Sequence, residues 1–501
     1  MSHLLTALLL LTSTLTAAPT QNIHVIAIDD LGNVLGRTRP PGLTTPNLDR
    51  LHARGIFFER AYCQIPLCNP SRASVLTGLR PDTTQVYDLD RHFRDSLPNA
   101  ITLPQLYRQS GGTAHRIGKI YHYDVPNGIG TNGLDDPPSW DTVLNPKGRD
   151  VTDEPLITNP TPEKPISAAL SWLAADGTDA EQTDGLIARE SAHLLTSLSK
   201  QKRPFFLATG FFRPHTPFVA PKAYFKTHPL NQIHLPNLPL TDRTDIPLAA
   251  LPHNCFTPGY DLPETTLREA LQAYHASVAF VDAQLGLLLD ALDQNQLWPT
   301  TTVVLWSDHG YHLGEHGLWQ KRTLFDESAR APLLIAAPQI PESQRGKTCQ
   351  RIVEFIDLFP TLCHLANLTP PPALEGTSLH PLLENPEAPW TRPAFTQILR
   401  LARTPETLTT PLDQLPQIMG RAITTEHHRY IEWNQGEKGR ELYDHSTDPN
   451  EHLNLADNPA HNALIQNLRA RFPQTVSPLP PPPPGTPHHP SQSQTPLTRS
   501  Q

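Results

Sequence analysis

Three short apolar segments, far apart in the chain, each run straight into acidic or histidine residues. Asn22–Ile28 (Asn-Ile-His-Val-Ile-Ala-Ile) leads into Asp29-Asp30, Phe205–Thr209 into Gly210-Phe211-Phe212-Arg213-Pro214-His215, and Thr301–Trp306 into Ser307-Asp308-His309-Gly310. Near-continuous apolar runs of this length suit strands buried on both faces, which belong to parallel sheets covered by helices. Between the second and third, Tyr274–Leu297 carries Val278, Val281, Leu285, Leu288 and Leu292 at helical spacing. Thr45-Pro46 predicts a helix start, with Thr as N-cap, Pro at the first helical position, Leu48 and Leu51 on one face and Gly55 as the stop. The pattern predicts a doubly wound α/β core. In open sheets of this kind ligands sit beyond the carboxyl ends of the strands, so residues distant in sequence can converge on one crevice.

The 501 residues exceed what one small core needs and suggest several units or one large α/β domain with an appendage. The main domain is expected over 21–370. Beyond about residue 370 the pattern shifts: Arg421–Trp433 alternates like a hairpin, and Glu441-Leu442-Tyr443-Asp444 begins a further short element. This predicts a smaller α+β subdomain over 371–476. Of the 55 prolines, nine fall between Pro478 and Pro496, so no fixed structure is expected for 477–501. The other prolines predict many ordered loops.

At the front, the apolar stretch Leu4–Leu15 precedes small residues at Thr16, Ala17 and Ala18. It reads as an export signal over 1–18, too short to span a membrane and with no Lys or Arg ahead of it. No other apolar run in the sequence reads as a transmembrane segment. A net charge of −9 argues against a general nucleic-acid binder, whose footprint would be basic, but leaves an anionic small substrate open. The five cysteines, Cys63, Cys68, Cys255, Cys349 and Cys363, fall in no zinc pattern. In an exported chain their odd number leaves at least one sulfur unpaired.

Cys68 lies in Pro66-Leu67-Cys68-Asn69-Pro70-Ser71-Arg72-Ala73-Ser74-Val75-Leu76-Thr77-Gly78. Pro70 suits the first turn of a helix, which puts Cys68 at or just before an N-terminus whose free N–H groups favour an anion. Arg72, one turn on, offers a planar guanidinium to a tetrahedral oxyanion. For a lone cysteine the plainer reading is a buried residue ahead of an ordinary helix. Asp29, Asp30 and Asp308 around one point would repel one another unless a cation is present, and oxygen ligands suit a hard divalent ion. Alternatively, Asp29-Asp30 merely closes a strand.

The Cys-x-Pro-x-Arg core with its following Thr-Gly resembles the type I sulfatase family. Further blocks, Arg80-Pro81-Asp82-Thr83-Thr84-Gln85-Val86-Tyr87, Gly118-Lys119-Ile120-Tyr121-His122, Gly314-Glu315-His316-Gly317, and Glu441-Leu442-Tyr443-Asp444 with Asp448-Pro449-Asn450-Glu451, are similar to its iduronate-2-sulfatase branch. The resemblance runs from about residue 22 to 456. It implies an alkaline-phosphatase-like sandwich, with a large mixed, mostly parallel sheet, and oxidation of Cys68 to Cα-formylglycine by a maturation enzyme. It also implies a calcium site (magnesium being the alternative) made by Asp29, Asp30, Asp308, His309 and the oxygen of modified Cys68. Many sulfatases have Asn where His309 stands.

By the same resemblance Arg72, Lys119 and Lys321 stabilise the sulfuryl oxygens, and His215 or Lys321 protonates the departing alcohol. His122 takes the proton that releases sulfate from the second hydroxyl of the aldehyde hydrate. The implied substrate is a sulfated carbohydrate, in particular a 2-O-sulfated uronic acid at a chain end. Two other readings compete. A phosphatase or phosphodiesterase on the same fold usually carries Ser or Thr where Cys68 stands. A glycan-binding protein without catalysis would be expected to lack one of Cys68, Lys119, His122, His215 or Lys321.

Overall fold

The computed structural model of the chain describes residues 19–36 and 39–473. The expected export signal and proline-rich tail lie outside the described residues. Eight strands form the central sheet: β1 (Asn22–Ile28), β2 (Ile56–Phe58), β3 (Thr113–Gly118), β4 (Thr142–Leu144), β5 (Phe205–Phe211), β6 (Thr301–Ser307), β7 (Leu333–Ala336) and β8 (Lys347–Cys349). Across the sheet they run β8-β2-β7-β6-β1-β5-β3-β4. β7 is antiparallel to both neighbours, and all other pairs are parallel. The sheet is thus mixed and mostly parallel, as expected.

Alternate residues of each central strand feed two cores. Ile26 and Ile28 of β1 pack with α1 (Pro46–His52), α4 (Thr183–Leu198) and α5 (Glu264–Gln294), whereas Ile23, Val25 and Ala27 pack with α2 (Cys68–Thr77), α3 (Leu103–Gln109) and α6 (Leu358–Leu365). Each fully buried Leu, Val or Ile contributes about 1.5–3 kcal/mol, which is why strands covered on both faces can be apolar throughout. His24 is the fully buried polar residue of β1. Its Nε2 lies 3.1 Å from Thr209 Oγ1 in the neighbouring strand, and burial pulls its pKa down to about 3, so the ring is neutral.

α5 starts ten residues before the expected Tyr274. Its first turns are polar (Glu264, Arg268, Glu269), and the apolar stripe that betrays it begins only at Ala270. By length and composition α5 could cross a membrane, but its apolar face is buried against the sheet and α4. α1 begins at Pro46 as expected, yet the Thr45 hydroxyl makes no capping hydrogen bond. Asp282 of α5 does that work instead, accepting from the N–H groups of Asn47 (3.1 Å) and Leu48 (2.8 Å).

A separate antiparallel sheet follows in the order β9 (Ala394–Leu401), β10 (Gln417–Thr424), β11 (His428–Trp433) and β12 (Arg440–Asp444). The expected hairpin is β10–β11, with Ala422 opposite Ile431. One face packs on α7 (Asn462–Arg469) through Ile423, Tyr430 and Leu442, and the other on Leu318, Leu324 and Phe325. All five cysteines are buried and free.

Candidate active site

Sheet register assembles the site. Ile28 lies opposite Ser307 on one side and Phe211 on the other. Asp29-Asp30 therefore leaves the sheet beside Asp308-His309 and beside the loop that carries His215. β3 joins the same edge through Gly118, paired with Gly210, and delivers Lys119. A Cβ on Gly210 would sit 1.9 Å from the Lys119 carbonyl oxygen, and one on Gly118 2.1 Å from that of Gly210, so the two strand ends can approach only as glycines. α2 begins at Cys68 itself, where the sequence places it.

Cys68 Sγ is 3.4 Å from His309 Nε2, 3.3 Å from Lys321 Nζ and 3.9 Å from Asp30 Oδ1. Asp30, Cys68, Asp308 and His309 each turn one ligand atom to within 4.8 Å of the others, and so do Asp29, Asp30, Cys68 and His215. Lys119 Nζ donates to Asp29 Oδ2 at 2.6 Å, and Lys321 Nζ donates to Asp30 Oδ1. His215 Nε2 stands 3.7 Å from Asp30 Oδ2, and its Nδ1 lies 2.6 Å from the Thr216 carbonyl. His122 faces both Cys68 and Asp124, whose Oδ1 is 3.5 Å from His122 Nε2. All ten residues singled out in the sequence meet at one place.

Arg72 is there too, but not with a free guanidinium. Its Nε donates to Asp308 Oδ2 and one terminal nitrogen to Asp29 Oδ1, both at 2.9 Å. The other terminal nitrogen donates to the carbonyls of Lys119 and Ile120. Arg72 is fully buried, and a guanidinium in that position must satisfy its donors within the protein. It braces the carboxylates rather than pointing at a ligand.

The donor set fits a hard divalent cation. Asp30 Oδ2 is buried and accepts no hydrogen bond, an arrangement that is costly unless something positive faces it. His309 Nδ1 lies 2.9 Å from the Gly310 carbonyl, which only an N–H can satisfy, so Nε2 is the nitrogen that can turn a lone pair toward Cys68 and Asp30 once the ring has lost its second proton. Burial raises Asp308 to about 7 against the pull of Arg72 and His309. Burial pulls His309 down, but Asp308 and Cys68 outweigh it and push the ring up to about 9 in the absence of an ion. Burial also pushes the Cys68 thiol up; Lys321, Lys119 and His309, with His122, overcome that and hold it well below the ordinary cysteine value.

Several supports carried no signal in the sequence. Asp30 has a left-handed backbone (φ 60), held because Tyr274 of α5 donates to the Asp30 carbonyl at 2.9 Å and accepts from the Gly32 N–H at 2.7 Å. Tyr274 reads only as a helix residue in sequence. Ser307 Oγ donates to the His309 carbonyl and accepts from the Leu31 N–H, tying the two acidic turns together. Gln320 and Arg322, on either side of Lys321, also have positive φ (69 and 80). Such outliers are held only where the surroundings over-determine them.

Residues 21–368 match the sulfatase family, and residues 314–477 match the C-terminal region described for N-sulphoglucosamine sulphohydrolase. A sulfatase of Formosa agariphila is 32% identical, the alignment covering 91% of this chain and 86% of that protein. Iduronate 2-sulfatase of Mus musculus is 30% identical over 91% of this chain and 94% of its own. Among solved structures, a 2-O GAG sulfatase matches with a TM-score of 0.67 at 22% identity, covering 90% of each chain, and shares the alkaline-phosphatase-like fold. With its strands, its site edge and its sequence all in agreement, the chain belongs to the sulfatase family, hydrolases of sulfuric esters.

Proposed function

We propose that the protein removes sulfate from a sulfated glycan, the 2-O-sulfate of a uronic acid at a chain end, once Cys68 has been oxidised to Cα-formylglycine by a dedicated maturation enzyme. The observation that carries this reading is the position of Cys68 Sγ, buried within 3.4 Å of both Lys321 Nζ and His309 Nε2 at the carboxyl ends of β1 and β6. The substrate class follows the iduronate 2-sulfatase relative, and the stretch over 1–18 accords with export.

Asp29, Asp30, Asp308 and His309, with the oxygen of converted Cys68, would hold one calcium ion. The ion and the aldehyde hydrate at position 68 together supply charge neutralisation and an acidic hydroxyl as nucleophile. Everything else falls to the chain. Arg72 locks Asp29 and Asp308 in place and needs no movement to do so. Lys119 and Lys321 bring two ammonium groups to the oxygens of the sulfate ester, where charge builds as the S–O bond breaks. His215, oriented by the Thr216 carbonyl, donates a proton to the departing sugar oxygen, and Lys321 Nζ is the second donor in reach. His122, between Cys68 and Asp124, accepts the proton that must leave position 68 for sulfate to go.

Mass spectrometry of the Cys68 peptide, after co-expression with a maturation enzyme, tests the proposal together with sulfate release from a 2-O-sulfated uronate disaccharide. Conversion of the thiol should track turnover across preparations. A fully active preparation with an unmodified thiol would overturn it. Stripping divalent ions with a chelator should abolish turnover and calcium should restore it; full activity in metal-free protein would exclude the ion site.

A further inference from the structure

Arg322 follows Lys321 directly, and among the described residues its guanidinium makes no ion pair and no hydrogen bond, although the residue is half-buried. Of the charges acting on it, Cys68 is the strongest and Asp90, on an exposed loop, comes next. The fold takes trouble to keep it there. Its left-handed backbone is pinned by Arg400 of β9, which donates to the Arg322 carbonyl at 2.6 Å and lies over the Trp433 ring at 4.5 Å. On the other flank Gln320 is tied to the Ala168 carbonyl (3.1 Å) and to Asn254 (3.2 Å). The turn commits Lys321 to Asp30 and leaves the next cation unspent.

The surroundings add positive charge instead of cancelling it. His253 feels Arg322, Arg400 and Arg403 together. Glu441, the acid acting on Arg400, already accepts from Trp433 and Tyr443. A partly desolvated guanidinium without an acidic partner is unfavourable unless a ligand supplies one. Its planar fork suits an oxyanion with two oxygens in reach. Building on the sulfated-glycan reading above, we propose that Arg322 is a specificity residue that binds a second oxyanionic group of the substrate, a carboxylate or a further sulfate near the sulfate to be cleaved. The clamp from β9 would then give the C-terminal sheet an indirect part in substrate choice.

The test uses the full chain with Cys68 converted, as wild type, Arg322→Gln and Arg322→Lys. Four substrates are compared: a 2-O-sulfated uronate disaccharide, its carboxyl-reduced form, the same disaccharide with an added 6-O-sulfate, and 4-nitrophenyl sulfate. Wild type should favour the more anionic member of one disaccharide pair by about tenfold or more in kcat/KM, chiefly through KM. The pair that shows this identifies the anion as carboxylate or sulfate. In Arg322→Gln the preference should shrink to within about twofold, while Arg322→Lys, which keeps the charge but not the fork, retains part of it. A preference that survives Arg322→Gln at full size, in protein with a wild-type thermal midpoint, overturns the proposal, as does a wild type indifferent to both changes. Release of sulfate by wild type from 4-nitrophenyl sulfate but from no disaccharide would instead sink the glycan reading on which it rests.

Discussion

Every residue of β5 and β6 is buried, whereas β9 alternates buried and half-buried positions along its eight residues. The mostly parallel sheet is covered on both faces, so its strands crowd their polar residues toward their ends, and parallel strands end on the same edge. That edge holds Asp29, Asp30, Asp308, His309, Lys119 and the loop of His215. The antiparallel sheet sends long side chains from its strands into the neighbouring loops. Arg429 reaches Asp326 (2.6 Å) and Glu451 (2.7 Å), Arg421 reaches Asp82 (3.1 Å), and Arg400 holds Arg322. One sheet gathers the candidate site, and the other braces the loops that frame it.

The sharpest way to break this contrast is to strike each sheet's own contribution. Cys68→Ala should cost at least about 1,000-fold in turnover of a sulfate ester while the thermal midpoint stays near wild type, because one small side chain is exchanged for another at the site edge. Residual turnover near wild type would show that the parallel edge is not the catalytic one. Arg429→Met should do the opposite. It leaves Asp326 and Glu451 buried with one cation fewer, at a cost of about 3–5 kcal/mol in denaturant unfolding, with kcat per folded molecule preserved. A loss below about 1 kcal/mol would deny the brace.

Two smaller effects sharpen the picture of the main sheet. His24 is neutral when folded, with its pKa pulled down by burial to about 3 against 6.5 unfolded. Between those values the unfolded chain binds the extra proton, so stability falls as pH drops below 6.5, by about 1.4 kcal/mol per pH unit until pH 3. Urea midpoints across this window should flatten by that slope in His24→Asn; an unchanged slope would mean the ring is not buried neutral. Smallest is Thr102→Ala. Thr102 caps α3, its hydroxyl accepting from the Gln105 N–H at 3.3 Å while the Gln105 side chain returns to the Thr102 N–H. Its loss should cost about 1 kcal/mol in the same assay, and a cost above about 3 kcal/mol would point to the buried Ser139 contact instead.

Much of this architecture is readable from local pattern. β1 ends where its apolar run ends, and the β10–β11 hairpin announces itself by the alternation over Arg421–Trp433. β5 and β6 each extend slightly further than their apolar runs suggest, because Gly210, Phe211 and Ser307 continue pairing with Ala27 and Ile28. Strand length belongs to the pair, not to the strand. The same holds for caps: Thr45 has the right chemistry, but the carboxylate of Asp282, more than 230 residues away in sequence, arrives first. The site residues could be named from motif blocks, yet the blocks did not show that Arg72 is consumed by Asp29, Asp308 and two carbonyls, nor that Tyr274 holds the Asp30 turn.

By itself the sequence determined which residues are candidates for the site and which strand ends deliver them, since apolar runs and the acids that close them are local properties. Tertiary structure alone decided the division of labour among the cations. Lys119, Lys321, Arg72 and Arg322 look alike as positive charges in a chain, and only burial and partner geometry separate a brace, two ammonium groups paired with Asp29 and Asp30, and one guanidinium that has no counter-ion among the described residues.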